Sequence, residues 1–233
     1  VTLIARGDHL AAIQDRGLLY KTPEQSVHVP IPAVSHPREI NFRGDEVVIL
    51  TMKTQHTEAA LEDLRLAAGD EVPLFCCQNG VANERMALRR FQNVHAMMVY
   101  LPAILLDPGT VLAHAARKSG VLDASIYPTG SNDLVAEVTA SLNSVNFSAR
   151  PNPTVMRFKY GKLIMNLGNA LAAVSPPGDE ADAIRAQMRA EAEACKTAAG
   201  IDCAPQAEEK ARRGELMKSA PVAGEARGGG SSW

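Results

Sequence analysis

Residues 46–80 read EVVILTMKTQHTEAALEDLRLAAGDEVPLFCCQNG, and this stretch decides the fold. Glu46 to Met52 is an almost unbroken apolar run. A strand covered on both faces produces such a run, because neither side of its pleat meets water. His56 to Ala67 then carries leucines at helical spacing, and Leu61, Leu64 and Leu66 are expected near its core side. Val72 to Cys77 is a second buried run. Strand, helix and strand in this order make a βαβ unit, which implies a parallel sheet.

The same alternation extends in both directions. Upstream, Val1 to Ala5 is a strand candidate and Asp8 to Asp15 is helical, ending near Gly17. Val27 to Val34 is β-prone but broken by Pro30 and Pro32, so it reads as an edge element. Downstream, Val81 to Phe91 is a helix and Val94 to Leu101 a strand. Val111 to His114, Val121 to Tyr127 and Val145 to Ala149 read as short strands, with a helix over Ser131 to Ser144. They are expected to extend the sheet and close a first domain. After Pro151, Asn152 and Pro153 no strand signal remains. One long helical pattern covers Val155 to Val174, a second Asp179 to Ala199 with Gly200 as a C-cap, and a third Pro205 to Met217. The chain therefore divides into an α/β domain over 1–151 and a helical domain over 152–233.

Composition excludes several classes of function. The 233 residues are 46% hydrophobic and 21% charged, as in ordinary globular proteins. A net charge of −2 offers no basic footprint for nucleic acid or anionic lipid, and 4% aromatic residues leave few platforms for stacked bases. No apolar stretch reaches the ~18 residues of a membrane span. Cys76, Cys77, Cys195 and Cys203 lack zinc-ligand spacing, so no metal is expected and a reducing, cytoplasmic setting fits. Cys76 and Cys77 read as buried filler.

Four polar segments interrupt this apolar framework. Arg6-Gly7 follows the first strand, where a dinucleotide-binding fold meets the adenosine ribose. An acidic residue there would hold the 2′-hydroxyl of NAD, whereas Arg can pair with the 2′-phosphate of NADP. Lys53-Thr54-Gln55 and Asn79-Gly80 follow the two most convincing buried strands, at the carboxyl ends where ligands bind in parallel sheets. Lys162 and Asn166 lie four apart on one helix face, and Asn169 stays on that face. Taken alone, Arg6 reads first as a solvated charge and the Lys162 face as the solvated side of a helix, while Lys53 suits a solvated loop as well as a ligand site.

Taken together, in order and spacing, these residues resemble the ketopantoate reductase family. The resemblance runs from Val1 to about Val174 and more loosely to Trp233. It implies a Rossmann-type NADP-binding domain followed by a helical domain of the 6-phosphogluconate-dehydrogenase-like kind. It also implies reduction of a small 2-oxo acid, 2-dehydropantoate in the pathway to coenzyme A, or of another 2-oxo acid. Lys162 would be the general acid. Asn166, Asn169 and Ser232 would bind substrate, Asn169 one residue short of the family's spacing. Arg6, Lys53, Gln55 and Asn79 would hold the cofactor, and a homodimer is compatible. A non-catalytic NADP-binding sensor or an inactive remnant is the alternative. The resemblance further places a Gly-rich phosphate loop before Val1 and a catalytic Glu after Trp233, so residues 1–233 by themselves are expected not to turn over.

Overall fold

The structure, a computed structural model, describes residues 1–222. The chain begins with β1 (Leu3–Ile4), α1 (Gly7–Arg16), β2 (Leu18–Lys21), β3 (Ser26–Val29) and β4 (Ala33–Val34). It continues through β5 (Val48–Leu50), α2 (Thr57–Ala68), β6 (Leu74–Cys76), α3 (Asn83–Leu88) and β7 (Val94–Tyr100). Next come β8 (Ala103–Ile104), β9 (Thr110–Ala113), β10 (Val121–Ile126) and α4 (Asp133–Ser144). The helical region holds α5 (Val155–Asn166), α6 (Gly168–Val174), α7 (Asp179–Ala198) and α8 (Gln206–Arg213).

The central sheet has the order β10-β7-β6-β5. Its β5, β6 and β7 are parallel, and β10 runs antiparallel along β7 from Val121↔Tyr100 to Ile126↔His95. Side chains alternate across it with the period of two that a pleat imposes. Leu74, Cys76 and Val94 face one core with Leu50, Leu61, Leu64, Ala87 and Phe91. Phe75 and Met97 face the opposite side, against Leu122, Ala124 and Val135. Ala96, Met98 and Tyr100 meet Val155 and Phe158 of α5. Burial on both faces is why β6 and β7 read as continuous apolar runs. α4 is started by Asn132, whose side chain accepts the Val135 N–H at 2.9 Å.

Several expectations need correction. Leu66 is 78% exposed, because it sits well round the helix from the buried Leu61 and Leu64. Val27 to Val34 is not one edge element. Pro30 and Pro32 separate β3, which pairs with β2, from β4, which pairs in parallel with β1. β9 does not extend the central sheet but lies between β2 and β8 in a second four-stranded sheet. Val145 to Ala149 makes only an isolated bridge, Ser148 to Val121, rather than a strand. The long helix breaks after Asn166, where the Leu167 N–H turns back to the Ile164 carbonyl at 3.3 Å. There Gly168 lets Arg185 of α7 approach to within 3.1 Å of where a Cβ would be. The third helix shortens to α8 and ends in a 3-10 turn over Gly214–Met217. No helix among the described residues is long and apolar enough to cross a membrane.

Candidate active site

A buried hydrogen-bond network shapes the loop that leaves β6. The Gln78 side-chain amide donates to Thr57 Oγ1 at 2.8 Å and to Met52 Sδ at 3.3 Å. Thr57 in turn donates to Asn83 Oδ1 at 2.9 Å, and Asn83 Nδ2 returns to the Asn79 carbonyl at 3.2 Å. Thr57 and Asn83 are fully buried, so each polar atom needs such a partner. The network ties the starts of α2 and α3 to the loop that carries Asn79. It also brings the loop after β5 alongside, with Thr54 Oγ1 4.0 Å from where a Cβ on Gly80 would sit. Gly80 has φ +86, a backbone conformation that a side chain disfavours.

The helix α5 crosses the carboxyl ends of β6 and β7 and supplies two lysines. Lys159 is buried, with its ammonium 2.5 Å from Glu84 Oε1. It also donates to the carbonyls of Gln78 at 2.9 Å, Cys76 at 3.1 Å and Met97 at 3.3 Å. Lys162, one turn further on, donates to the Val99 carbonyl and lies over the Tyr100 ring at 4.8 Å. Both lysines, together with Gln78, Asn79, Gly80 and Val99, line one small cavity.

Electrostatics in this corner are unusual. Burial pulls the Lys162 pKa down to about 8, and the neighbouring charges of Lys159 and Arg213 act in the same direction. Cys77 and Glu209 oppose them. Glu209 of α8 is buried, which raises its pKa, and it faces the Tyr100 hydroxyl. Its Oε1 lies against Gly161, so close that a Cβ there would come within 2.1 Å. Burial also pushes Cys77 up to about 11 and Cys76 higher still, so neither thiol ionises readily.

Of the residues expected from sequence, Lys162 and Asn79 share the cavity, and Lys53 and Gln55 lie on the adjoining loop, exposed. Arg6 sits at the N-terminus of α1 with its side chain 63% exposed, 3.6 Å from Asp63 of α2. Asn166 ends α5 and Asn169 lies on α6, both half-buried and neither lining the cavity. Ser232 lies outside the described residues. Sequence reasoning passed over Lys159, Glu84, Tyr100 and Glu209. For Lys159 a signal existed, since it stands three residues before Lys162 and so shares its helix face.

The comparisons with known proteins point one way. A family model described as ketopantoate reductase PanE/ApbA matches residues 1–124. A 2-dehydropantoate 2-reductase of Pyrococcus horikoshii is 29% identical over 178 residues, 76% of this chain and 55% of that protein. One of Mesorhizobium japonicum is 27% identical over 129 residues, 55% of this chain and 37% of that protein. The chain thus spans about half the length, or less, of these curated relatives. Among solved structures, a PanE/ApbA family ketopantoate reductase from Ralstonia eutropha JMP134 superposes with a TM-score of 0.77 at 24% identity, covering 94% of this chain and 74% of that one. A 2-dehydropantoate 2-reductase from Porphyromonas gingivalis W83 gives 0.74 at 20% identity, covering 93% and 79%. A D-mandelate dehydrogenase solved with NADH and anilino(oxo)acetate gives 0.62 at 20% identity, covering 72% and 54%. The ketopantoate reductase fold of the two solved reductases, a Rossmann-type domain followed by a helical one, is the fold class of this chain. With the family's model matched over more than half of its residues, this chain belongs to the ketopantoate reductase PanE/ApbA family.

Proposed function

We propose that this chain carries the chemistry of an NADPH-dependent 2-oxo-acid reductase, with 2-dehydropantoate as its substrate and pantoate as its product. One observation carries the reading. Lys162 is a half-buried ammonium with a pKa near 8, set in a cavity beside Asn79 at the carboxyl end of a parallel strand. A proton donor works best with a pKa near the operating pH, and an ordinary lysine lies well above it.

The residues present fit a nicotinamide cofactor. Two strand-end loops, carrying Lys53 and Gln55 on one side and Asn79 on the other, lie together, and Gly80 adds no side chain between them. Arg6 holds an exposed guanidinium at the end of β1, suited to the 2′-phosphate that distinguishes NADPH from NADH. When bound, NADPH supplies a hydride for the 2-oxo carbon. Lys162 binds the ketone oxygen and hands it a proton, so the negative charge developing there meets an ammonium in a partly dry cavity. Asn79 lines the same cavity and orients what enters it. Asn166 and Asn169 follow Lys162 along the helical region and are the proposed contacts for the rest of the substrate, within a helical domain beginning near residue 152.

The test uses purified protein in the length its gene encodes. NADPH consumption is followed with a panel of 2-oxo acids, and 2-dehydropantoate is expected to be used best. Lys162→Met should lower kcat by about a hundredfold or more while NADPH binding, read by its fluorescence, stays nearly unchanged. NADPH binding without consumption of any 2-oxo acid would favour a non-catalytic NADP-binding protein instead.

A further inference from the structure

Lys159 is the residue the reductase reading leaves unused, and its surroundings are specific. An ammonium has three protons to donate. Those of Lys159 face Glu84 and the carbonyls of Gln78, Cys76 and Met97, all within 3.3 Å. No proton is left over for a substrate, so Lys159 does not serve as a second anion-binding group. Burying a lysine is costly unless it is paired and hydrogen-bonded, and a methionine of similar length would pack α5 on the sheet without that cost.

What a methionine could not do is hold the Gln78 carbonyl. That carbonyl precedes Asn79, and Lys159 lies one helical turn before Lys162. Lys159 therefore connects the loop bearing one cavity residue to the helix bearing the other. We propose that Lys159 is a positioning residue for this site, fixing Asn79 and Lys162 relative to one another and setting its Glu84-paired ammonium beside Lys162. The charge makes Lys162 release its proton more readily. The other groups facing Lys162 are Cys77 at the end of β6, Tyr100 on β7, and Glu209 and Arg213 at α8. Lys159 is the cation among them that a buried carboxylate, Glu84, holds in place.

The functional part of this inference rests on the reductase reading, but its test does not require turnover. Lys162 is titrated by trace acetylation with acetic anhydride across pH, and its modification is read from fragment ions that separate it from Lys159. The wild-type midpoint is expected near pH 8. The double variant Lys159→Met with Glu84→Gln leaves no unpaired buried charge. It should raise the midpoint by about half a pH unit or more, with about threefold slower acetylation near neutral pH. Lys159→Arg keeps the charge and should leave the midpoint in place. A folded double variant whose Lys162 titrates as in the wild type would overturn the proposal. Should that variant fail to fold, Lys159→Gln with Glu84→Gln places a neutral hydrogen-bonding pair at the same position, and an unshifted Lys162 midpoint in it would overturn the proposal equally. If 2-oxo acids are reduced, the alkaline limb of kcat/KM should move with the acetylation midpoint. Absence of turnover alongside a shifted midpoint would sink the reductase reading and leave this one standing.

Discussion

Lys162 shows how one side chain links stability to chemistry. Its folded pKa, about 8, lies below the usual lysine value of 10.5 because burial disfavours the charged form. Between those values the unfolded chain binds more protons, so stability rises with pH through that window. Below pH 8 the full cost of the buried charge is present. Lys162→Met should therefore be more stable than wild type near neutral pH, by about 1–2 kcal/mol once the lost bond to the Val99 carbonyl is discounted. Denaturant melts at neutral and at high pH check this, since the gain should vanish as the wild-type lysine neutralises. The same pKa makes a kinetic forecast. The rate should fall as pH rises through about 8, where the donor loses its proton, rather than through 10.5. At Arg6 the forecast concerns selectivity. Arg6→Ala should weaken NADPH by about 1.5–3 kcal/mol and leave NADH nearly unchanged, as paired fluorescence titrations would show. Equal losses would make Arg6 a fold residue, partnered by Asp63.

Among the elements, α8 has the most demanding attachment. Arg212 grips the fully buried Asp123 of β10 with two bonds of 2.5 and 2.7 Å and also reaches Ser148 Oγ at 3.1 Å. Arg212→Met would strand that carboxylate, leaving Arg150 at 3.4 Å as its remaining cation. The expected loss is about 3–5 kcal/mol in chemical denaturation, largely restored by adding Asp123→Asn. This clamp was illegible in the sequence, because nothing local links residues on β10 and α8. The central strands were legible for the opposite reason. Burial on both faces leaves its mark on consecutive residues, so β6 and β7 could be read directly; β5 carries the same apolar run but forms the edge of the sheet with Ile49 40% exposed, so the expectation of two covered faces fails there. β2 and β9 are short and only half-buried for the most part, and β9 finds its partner far earlier in the chain, so their sheet left no local record. The candidate site divides in the same way. Lys162 and Asn79 stand out by where they fall on a helix and after a strand. Glu84 and Glu209 acquire their importance only when α3 and α8 fold against α5.

At the scale of the whole molecule, the described strands form three separate sheets rather than one. β1 and β4 make a two-stranded ribbon with only two paired positions, and Arg6 and His36 reach from beside it to Asp63 on α2. The central sheet instead has all of β6 and most of β7 buried. Division into sheets is also division in time. Transferred into heavy water, the backbone amides should exchange in tiers. The ribbon should take up deuterium first, the sheet of β3, β2, β9 and β8 next, and β6 with β7 last, nearer to the rate of global unfolding. The slow tier ends in the loop beside Lys162, so the reactive corner would keep its shape long after the ribbon has opened and closed many times.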